Sequence, residues 1–398
     1  MTERSRRARS RALFVIIISQ LLGTTLWFAA NSAAHNLMTE WNLGVEDVGL
    51  LTVAVQLGFI SGTLFLALTS LADRYRASVV FAVSAAAGAF ANLAFAWLAD
   101  GFVAGAALRF ATGFCLAGIY PIGMKLVVGW VPRQAGLYLG WLVGMLTIGT
   151  GLPHLIRAVA PDWPWHEVVS VASALAMIAA GAVLWVGEGP NARNQIVTKP
   201  DFGAAFGAFR NVDFCAAAAG YFGHMWELYA FWTLVPFLLT SVLQRTLESA
   251  PLSVSVLSFC VIATGGVSCI MGGKLASRFG SRVVATASLT MSGILCLVFP
   301  LCTSSAPVGL TALFVWGLVV IPDSAQFSAL STNAIPPAII GSALALQNSI
   351  GFLISSLSIW LASGNIDALG AYVTWLLLPG PLLGLMAASA FWCRARSV

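Results

Sequence analysis

The run Gly220-Tyr-Phe-Gly-His224-Met-Trp-Glu227-Leu-Tyr-Ala-Phe-Trp232 sets an imidazole and a carboxyl three residues apart in an otherwise apolar stretch. On a helix of about 3.6 residues per turn the two side chains lie roughly 60° apart on one face, near enough to share a proton or a hydrogen bond. At about 1.5 Å per residue from Asp213, His224 stands roughly 16 Å along that helix, near the middle of a bilayer. An acid and an imidazole at that depth can load and release a proton; the plainer role is a structural pair that locks one helix to another. Asp323 follows Pro322 and has Ser324 and Gln326 beside it. Proline frees a backbone carbonyl one turn earlier, so a bend is expected where this acid sits. The alternative places Asp323 near the cytoplasmic end, capping a helix or pairing with a basic loop. Arg109 lies about eight residues, or roughly 12 Å, into its own apolar stretch, as an internal counter-charge or as a side chain that snorkels outward. Full charges in hydrocarbon are costly, so these residues mark a polar route through the protein.

Composition decides which elements hold them. Of the 398 residues, 59% are hydrophobic and 9% charged, against roughly 25% charged in an ordinary soluble domain. Stretches of about 20 apolar residues, the length a helix needs to cross hydrocarbon, recur along the chain. The reading is an all-α polytopic membrane protein with twelve transmembrane spans, at 12–34, 48–70, 77–98, 102–128, 135–156, 166–187, 213–240, 252–275, 283–303, 307–331, 339–362 and 370–392. Arg109 falls in span 4, His224 and Glu227 in span 7, Asp323 in span 10. The alternating segments of a β-barrel are absent from the sequence.

With the N-terminus inside, seventeen Lys and Arg fall at cytoplasmic ends and loops, from Arg4, Arg6, Arg7, Arg9 and Arg11 to Arg394 and Arg396. Only Arg157 and Arg245 fall outside. That bias places both termini in the cytoplasm of an inner (plasma) membrane and makes the net charge of +5 a matter of topology, not of nucleic acid. The apolar stretch from Ala12 is too long for a signal-peptide core and reads as span 1. Seven cysteines without a CxxC pair read as packing residues, so neither metal nor cofactor is expected.

Other side chains suit a small solute. Trp27, Asn31, Tyr120, Trp226, Tyr229, Gln326 and Gln347 are candidate substrate-binding residues, the rings by stacking and the amides by hydrogen bonding. Each has a packing alternative. His154 after Pro153 is a weaker candidate near the outer end of span 5. No phosphate-binding glycine loop occurs, which argues against ATP-driven pumping, and His224 and Glu227 lack a partner nucleophile for an enzyme.

A polar stretch at 188–212 divides an N-terminal part, 1–187, from a C-terminal part, 213–398, six spans each. Thr69-Ser-Leu-Ala-Asp73-Arg74-Tyr-Arg76 follows span 2, and Gly273-Lys-Leu-Ala-Ser277-Arg278-Phe-Gly280-Ser-Arg282 follows span 8, the echo of a duplicated unit. These turns resemble the Gly-x-x-x-Asp-Arg-x-Gly-Arg-Arg signature of the major facilitator superfamily, with Thr69 and Arg76 in place of the two glycines in the first and Ser277 in place of the aspartate in the second. Arg109 and Gly113 match the family's Arg-x-x-x-Gly in helix 4. The resemblance implies two six-helix bundles related by a pseudo-twofold axis around a cavity lined by helices 1, 4, 7 and 10, with Asp73, Arg74 and Arg278 in the gating turns. It further implies a monomeric secondary active transporter that moves a small solute by alternating access. The acids of spans 7 and 10 point to proton coupling through Glu227, His224 and Asp323, with Arg109 as counter-charge. The alternatives are a proton-independent facilitator, an organic-anion porter using Arg109, and a non-transporting sensor. The Gly-Pro pattern of drug exporters and the paired arginines of nitrate porters are not met.

Overall fold

The computed structural model describes residues 3–192, 202–243, 251–336 and 339–395, and among these it is all helix and turn. In order the helices are α1 (Glu3–Thr24), α2 (Ala29–Ser32), α3 (Ala34–Glu40), α4 (Val45–Thr69), α5 (Leu71–Arg74), α6 (Ala77–Leu98), α7 (Phe102–Leu116), α8 (Tyr120–Trp130) and α9 (Ala135–Val159). Then come α10 (Trp165–Val186), α11 (Phe202–Gly207), α12 (Val212–Leu243), α13 (Pro251–Phe279), α14 (Ser281–Cys302), α15 (Ala306–Val319), α16 (Pro322–Asn333), α17 (Ile340–Leu369) and α18 (Pro379–Ala395). Among the described residues, ten stretches are long and apolar enough to cross a membrane. Two expected spans are not separate among them. The stretch Ile340–Cys393 runs through both α17 and α18, and α1 joins its apolar half to the arginine-rich start. Arg193, Lys199, Arg245 and Arg396 of the charge pattern lie outside the described residues.

Breaks in the long helices fall where the sequence supplies glycine or proline. α7 gives way to α8 across Ala117-Gly118-Ile119, and Pro121 stands in the first turn of α8. α15 gives way to α16 across Val320-Ile321, and Pro322 opens α16. Proline has no N–H to donate to the preceding turn, which makes it a helix starter. α12 runs unbroken for 32 residues.

The chain forms two compact units, Met1–Asn36 with Ala54–Lys199 and Leu37–Val53 with Pro200–Val398. The second unit holds more than the sequence division gave it. Gly49 packs on Ser363 and Trp360 Nε1 donates to Glu46 Oε1 at 3.2 Å, which joins the start of α4 to α17. The segment expected to be a linker also contributes: Ala205 and Ala208 pack with Phe214, Ala218, Ile335 and Ala343, while 193–201 lies outside the described residues.

In the first unit α4 and α7 meet backbone to backbone. A Cβ added at Gly58 or Gly62 would overlap the carbonyls of Phe110 and Phe114, and one at Gly113 would overlap that of Val55. Small residues are what let helices approach so closely where lipid gives no hydrophobic drive. The two echoed turns close differently. Gly280 has φ 88°, a left-handed conformation that suits glycine. Its counterpart Arg76 has φ −61°, so no glycine is needed there, and the left-handed residue of that turn is Ser70 at φ 53°.

Gly113→Val should force α4 and α7 apart and cost about 1–3 kcal/mol. The thermal midpoint in detergent should drop by several degrees while Gly136→Val, which has open space around it, leaves it in place; equal midpoints would refute the close seam.

Candidate functional site

In the second unit, α12 carries His224 and Glu227, each 1% exposed, and the first turn of α16 carries Asp323, fully buried. The pairing differs from the simplest sequence expectation. His224 Nδ1 lies 2.9 Å from Asp323 Oδ1, so the imidazole takes its acid from α16 and not from its own helix. Glu227 turns to other neighbours. Its Oε1 accepts from Trp316 Nε1 on α15 at 2.6 Å, from the Ser292 hydroxyl on α14 and from Cys296 Sγ on α14 at 3.5 Å. The two side chains share a face of α12 but meet different neighbours, His224 the start of α16 and Glu227 the helices α14 and α15.

Asp323 is no surface cap. It occupies the N-terminal turn of a helix, where unsatisfied N–H groups favour a carboxylate. Its Oδ2 and the Nε2 of His224 have no hydrogen-bond partner among the described residues. Buried orphans of that kind ask for a ligand, a water or a proton. The Gln347 carboxamide on α17 is also fully buried, with both Oε1 and Nε2 unpartnered.

Trp316 fixes which oxygen of Glu227 can titrate. Its ring stacks on Phe231 at 4.5 Å and tilts against Phe299 at 5.9 Å, which holds the indole in one orientation. An indole N–H only donates. With that donor, a hydroxyl and a thiol all directed at Oε1, the oxygen left to carry a proton is Oε2.

The remaining candidates of the second unit divide by environment. Gln326 is buried on the same helix as Asp323. Tyr229 lies edge-on to Trp232 at 5.4 Å and tilted against Phe352 at 5.2 Å. Trp226 is tied to packing: its Nε1 donates to Leu376 O at 2.9 Å and its carbonyl accepts from Ser358. Arg278 lies over the Phe279 ring at 5.2 Å.

In the first unit Arg109 is fully buried, which excludes snorkelling. Its Nη2 donates to Leu26 O at 2.9 Å and Trp27 O at 2.6 Å, and its Nη1 to Asn92 Oδ1 at 2.7 Å. Asn92 in turn donates to Ser173 Oγ at 3.0 Å and Val169 O at 3.2 Å. The carbonyls of Leu26 and Trp27 lie in the break between α1 and α2, so the guanidinium sits at the negative end of α1 and supplies the donors that the interrupted helix lacks. Trp27 is buried with its ring 5.0 Å from Phe59, Asn31 is buried on α2, and Tyr120 opens α8, half-buried. His154 lies near the end of α9, as expected, and is buried there. Arg74 is exposed, and the Asp73 side chain lies outside the described residues.

Sequence reasoning missed Asn92, Ser292 and the role of Cys296. Asn92 had a signal, a carboxamide in the middle of an apolar span. Ser292 and Cys296 had only a one-turn spacing shared by many small residues. Glu188 was read as linker, yet its Oε1 accepts the Ala77 N–H at 2.5 Å and so caps α6.

Among known proteins, the sequence pattern of the Major Facilitator Superfamily matches residues 16–359. No curated protein matches the sequence. Solved structures do match the fold. A D-xylose-proton symporter superposes with a TM-score of 0.75 at 14% identity, covering 96% of this chain and 97% of its own. A bacterial homologue of the human lysosomal transporter Spinster, inward-facing and unoccupied, gives 0.73 at 14% identity, covering 98% and 97%. A mutant of the nucleoside transporter NupG gives 0.72 at 16% identity, covering 96% and 99%.

His224→Leu or Asp323→Leu alone should strand a buried partner and lose about 3–5 kcal/mol, whereas the double variant should recover most of it. Thermal midpoints of the four proteins form the cycle, and strictly additive losses would show that the two side chains are not coupled.

Proposed function

Because this chain belongs to the Major Facilitator Superfamily, and is on that ground a membrane transporter and not an enzyme, we propose that it moves a small neutral solute by proton-coupled alternating access. The observation that carries the proposal is the buried set His224–Asp323 and Glu227 in the second unit. Two acids and one imidazole sit within two turns of α12 and the start of α16, with Asp323 Oδ2 and His224 Nε2 unpartnered. A structural ion pair would have its remaining lone pairs and protons satisfied. In this reading Glu227 Oε2 takes up the proton, and Asp323 exchanges its pairing with His224 when it is protonated or when solute arrives. Arg109 serves as a positioning residue that holds the break after α1, since its donors are engaged by two carbonyls and an amide. That engagement disfavours an organic-anion porter built on Arg109.

The solute class follows from the same chemistry. A set with two acids and a single imidazole does not recruit an anion, while carboxamides at Gln326 and Gln347 and the ring of Tyr229 in the same unit suit hydroxyls on a ring. A D-xylose-proton symporter and a nucleoside transporter share the fold, which supports a sugar or nucleoside as the solute. Within the first unit, Trp27, Asn31 and Tyr120 are the residues we assign to solute contact. Twelve crossing helices in two six-helix bundles, with α1 as the first crossing and α17 and α18 as the last two, complete the reading. Both termini then face the cytoplasm of an inner or plasma membrane, with Asp73, Arg74 and Arg278 in the gating turns.

Proteoliposomes with an inward proton gradient should accumulate xylose or uridine against its concentration. Glu227→Gln and Asp323→Asn should each reduce accumulation at least about tenfold, the scale of one lost charge-assisted contact, while retaining equilibrium exchange of labelled solute. Full gradient-driven accumulation by both variants would remove the proton role.

A further inference from the structure

A cavity of about 410 Å³ opens in the first unit, lined by α4, the turn after it, α6 and the region where α7 passes into α8. Its walls include Phe65, Leu66, Val83, Ala87, Phe114 and Gly118, and no charged side chain. Phe65 and Val83 are exposed, at 43% and 63%, although both lie in membrane-crossing stretches, so the cavity faces the bilayer side of the unit. Ring contact between Phe65 and Phe114, 5.4 Å apart, forms one edge. A hydroxyl-rich solute would lose its hydrogen bonds here. A hydrocarbon chain would not.

Two further features narrow the occupant. Along α6 the lining runs from Val79 to Ala87 and begins beside Tyr75; the ten steps from Ala77, where α6 starts, to Ala87 amount to roughly 15 Å at about 1.5 Å each, close to the depth of one leaflet. At the mouth the same turn presents Arg74 and Arg76, both exposed, and Lys125 Nζ donates to Ala72 O at 2.5 Å within it. Arg76 stands 4.0 Å from Glu188, a distance that leaves its fork open to a stronger anion. Guanidinium groups favour phosphate oxygens bidentately, and basic residues beside a membrane-crossing helix attract anionic lipid.

We propose that this cavity binds one acyl chain of an anionic phospholipid, whose phosphate is held by Arg74 and Arg76. The site is separate from the buried acids of α12 and α16. Its occupancy would brace α4 against α6 at the turn that carries the echoed signature.

The test is native mass spectrometry of the full chain with dioleoyl phosphatidylglycerol or dioleoyl phosphatidylcholine added in detergent. One phosphatidylglycerol should stay bound to the wild type at collision energies that strip phosphatidylcholine. Ala87→Trp, which fills the cavity, should lose that retained lipid, and Arg74→Gln/Arg76→Gln should bring the two lipids to parity. Equal retention of both lipids by the wild type would overturn the proposal, as would undiminished retention by folded Ala87→Trp. A second measurement needs no variant: phosphatidylglycerol bearing a diazirine on its tail should cross-link to residues 79–87 and 114–118, and labelling confined to other helices would overturn the assignment.

Discussion

Hydrocarbon offers no hydrogen bond, and every other feature of this protein follows from that constraint. Each charge and each carbonyl released by a broken helix must find its partner inside the protein. The chain meets the demand by pairing its departures from regular helix with its charges. The break between α1 and α2 exposes carbonyls of Leu26 and Trp27, and Arg109 delivers two donors to them. The break before α16 exposes N–H groups, and Asp323 stands in that first turn. A cation at a helix C-terminus and an anion at a helix N-terminus are the arrangements that the backbone dipole favours.

This division of labour separates the two units by chemistry. In the first, the buried Arg109 guanidinium directs Nη1 to Asn92 and Nη2 to two backbone carbonyls, with Nε unpartnered among the described residues, so it acts as a fastening. In the second, His224, Glu227 and Asp323 are buried, and His224 Nε2 and Asp323 Oδ2 have no hydrogen-bond partner among the described residues. A titratable group with an open valence is a poor fastening and a good switch. The asymmetry also shows in the echoed turns, where Gly280 adopts a left-handed conformation that Arg76 does not need.

Much of the fold was legible in the sequence because hydropathy and length are local properties. The spans at 77–98 and 283–303 coincide within two residues with α6 and α14. Pro322 announced its break, although proline alone does not decide one: Pro153, Pro236 and Pro300 stand inside continuous helices. The site was legible only in part. Arg109, His224, Glu227 and Asp323 stood out as costly groups in lipid, but cost does not name a partner. That His224 meets Asp323, while Glu227 meets Ser292 and Trp316, depends on which helices flank α12, and this is a property of packing between residues far apart in the chain. Ser292 and Cys296 were invisible for the same reason: small residues are common in membrane helices and gain meaning only from what faces them. The joining of Leu37–Val53 to the second unit likewise rests on Gly49, Ser363, Glu46 and Trp360, which no local pattern links.

In the proposed proton-coupled reading, the placement of Glu227 lets one residue bind a proton yet hold its position. Three donors converge on Oε1, and one of them, the Trp316 indole, cannot reverse its polarity. When Oε2 gains or loses a proton, these contacts strengthen or weaken but keep their direction. The His224–Asp323 pair lies one turn earlier on α12, and its contact at 2.9 Å joins α12 to α16 alongside the packing of Phe327 on Gly220. On that reading, a charge at Glu227 would act on a contact that lies just after the break between α15 and α16, where the helix is interrupted and free to change direction.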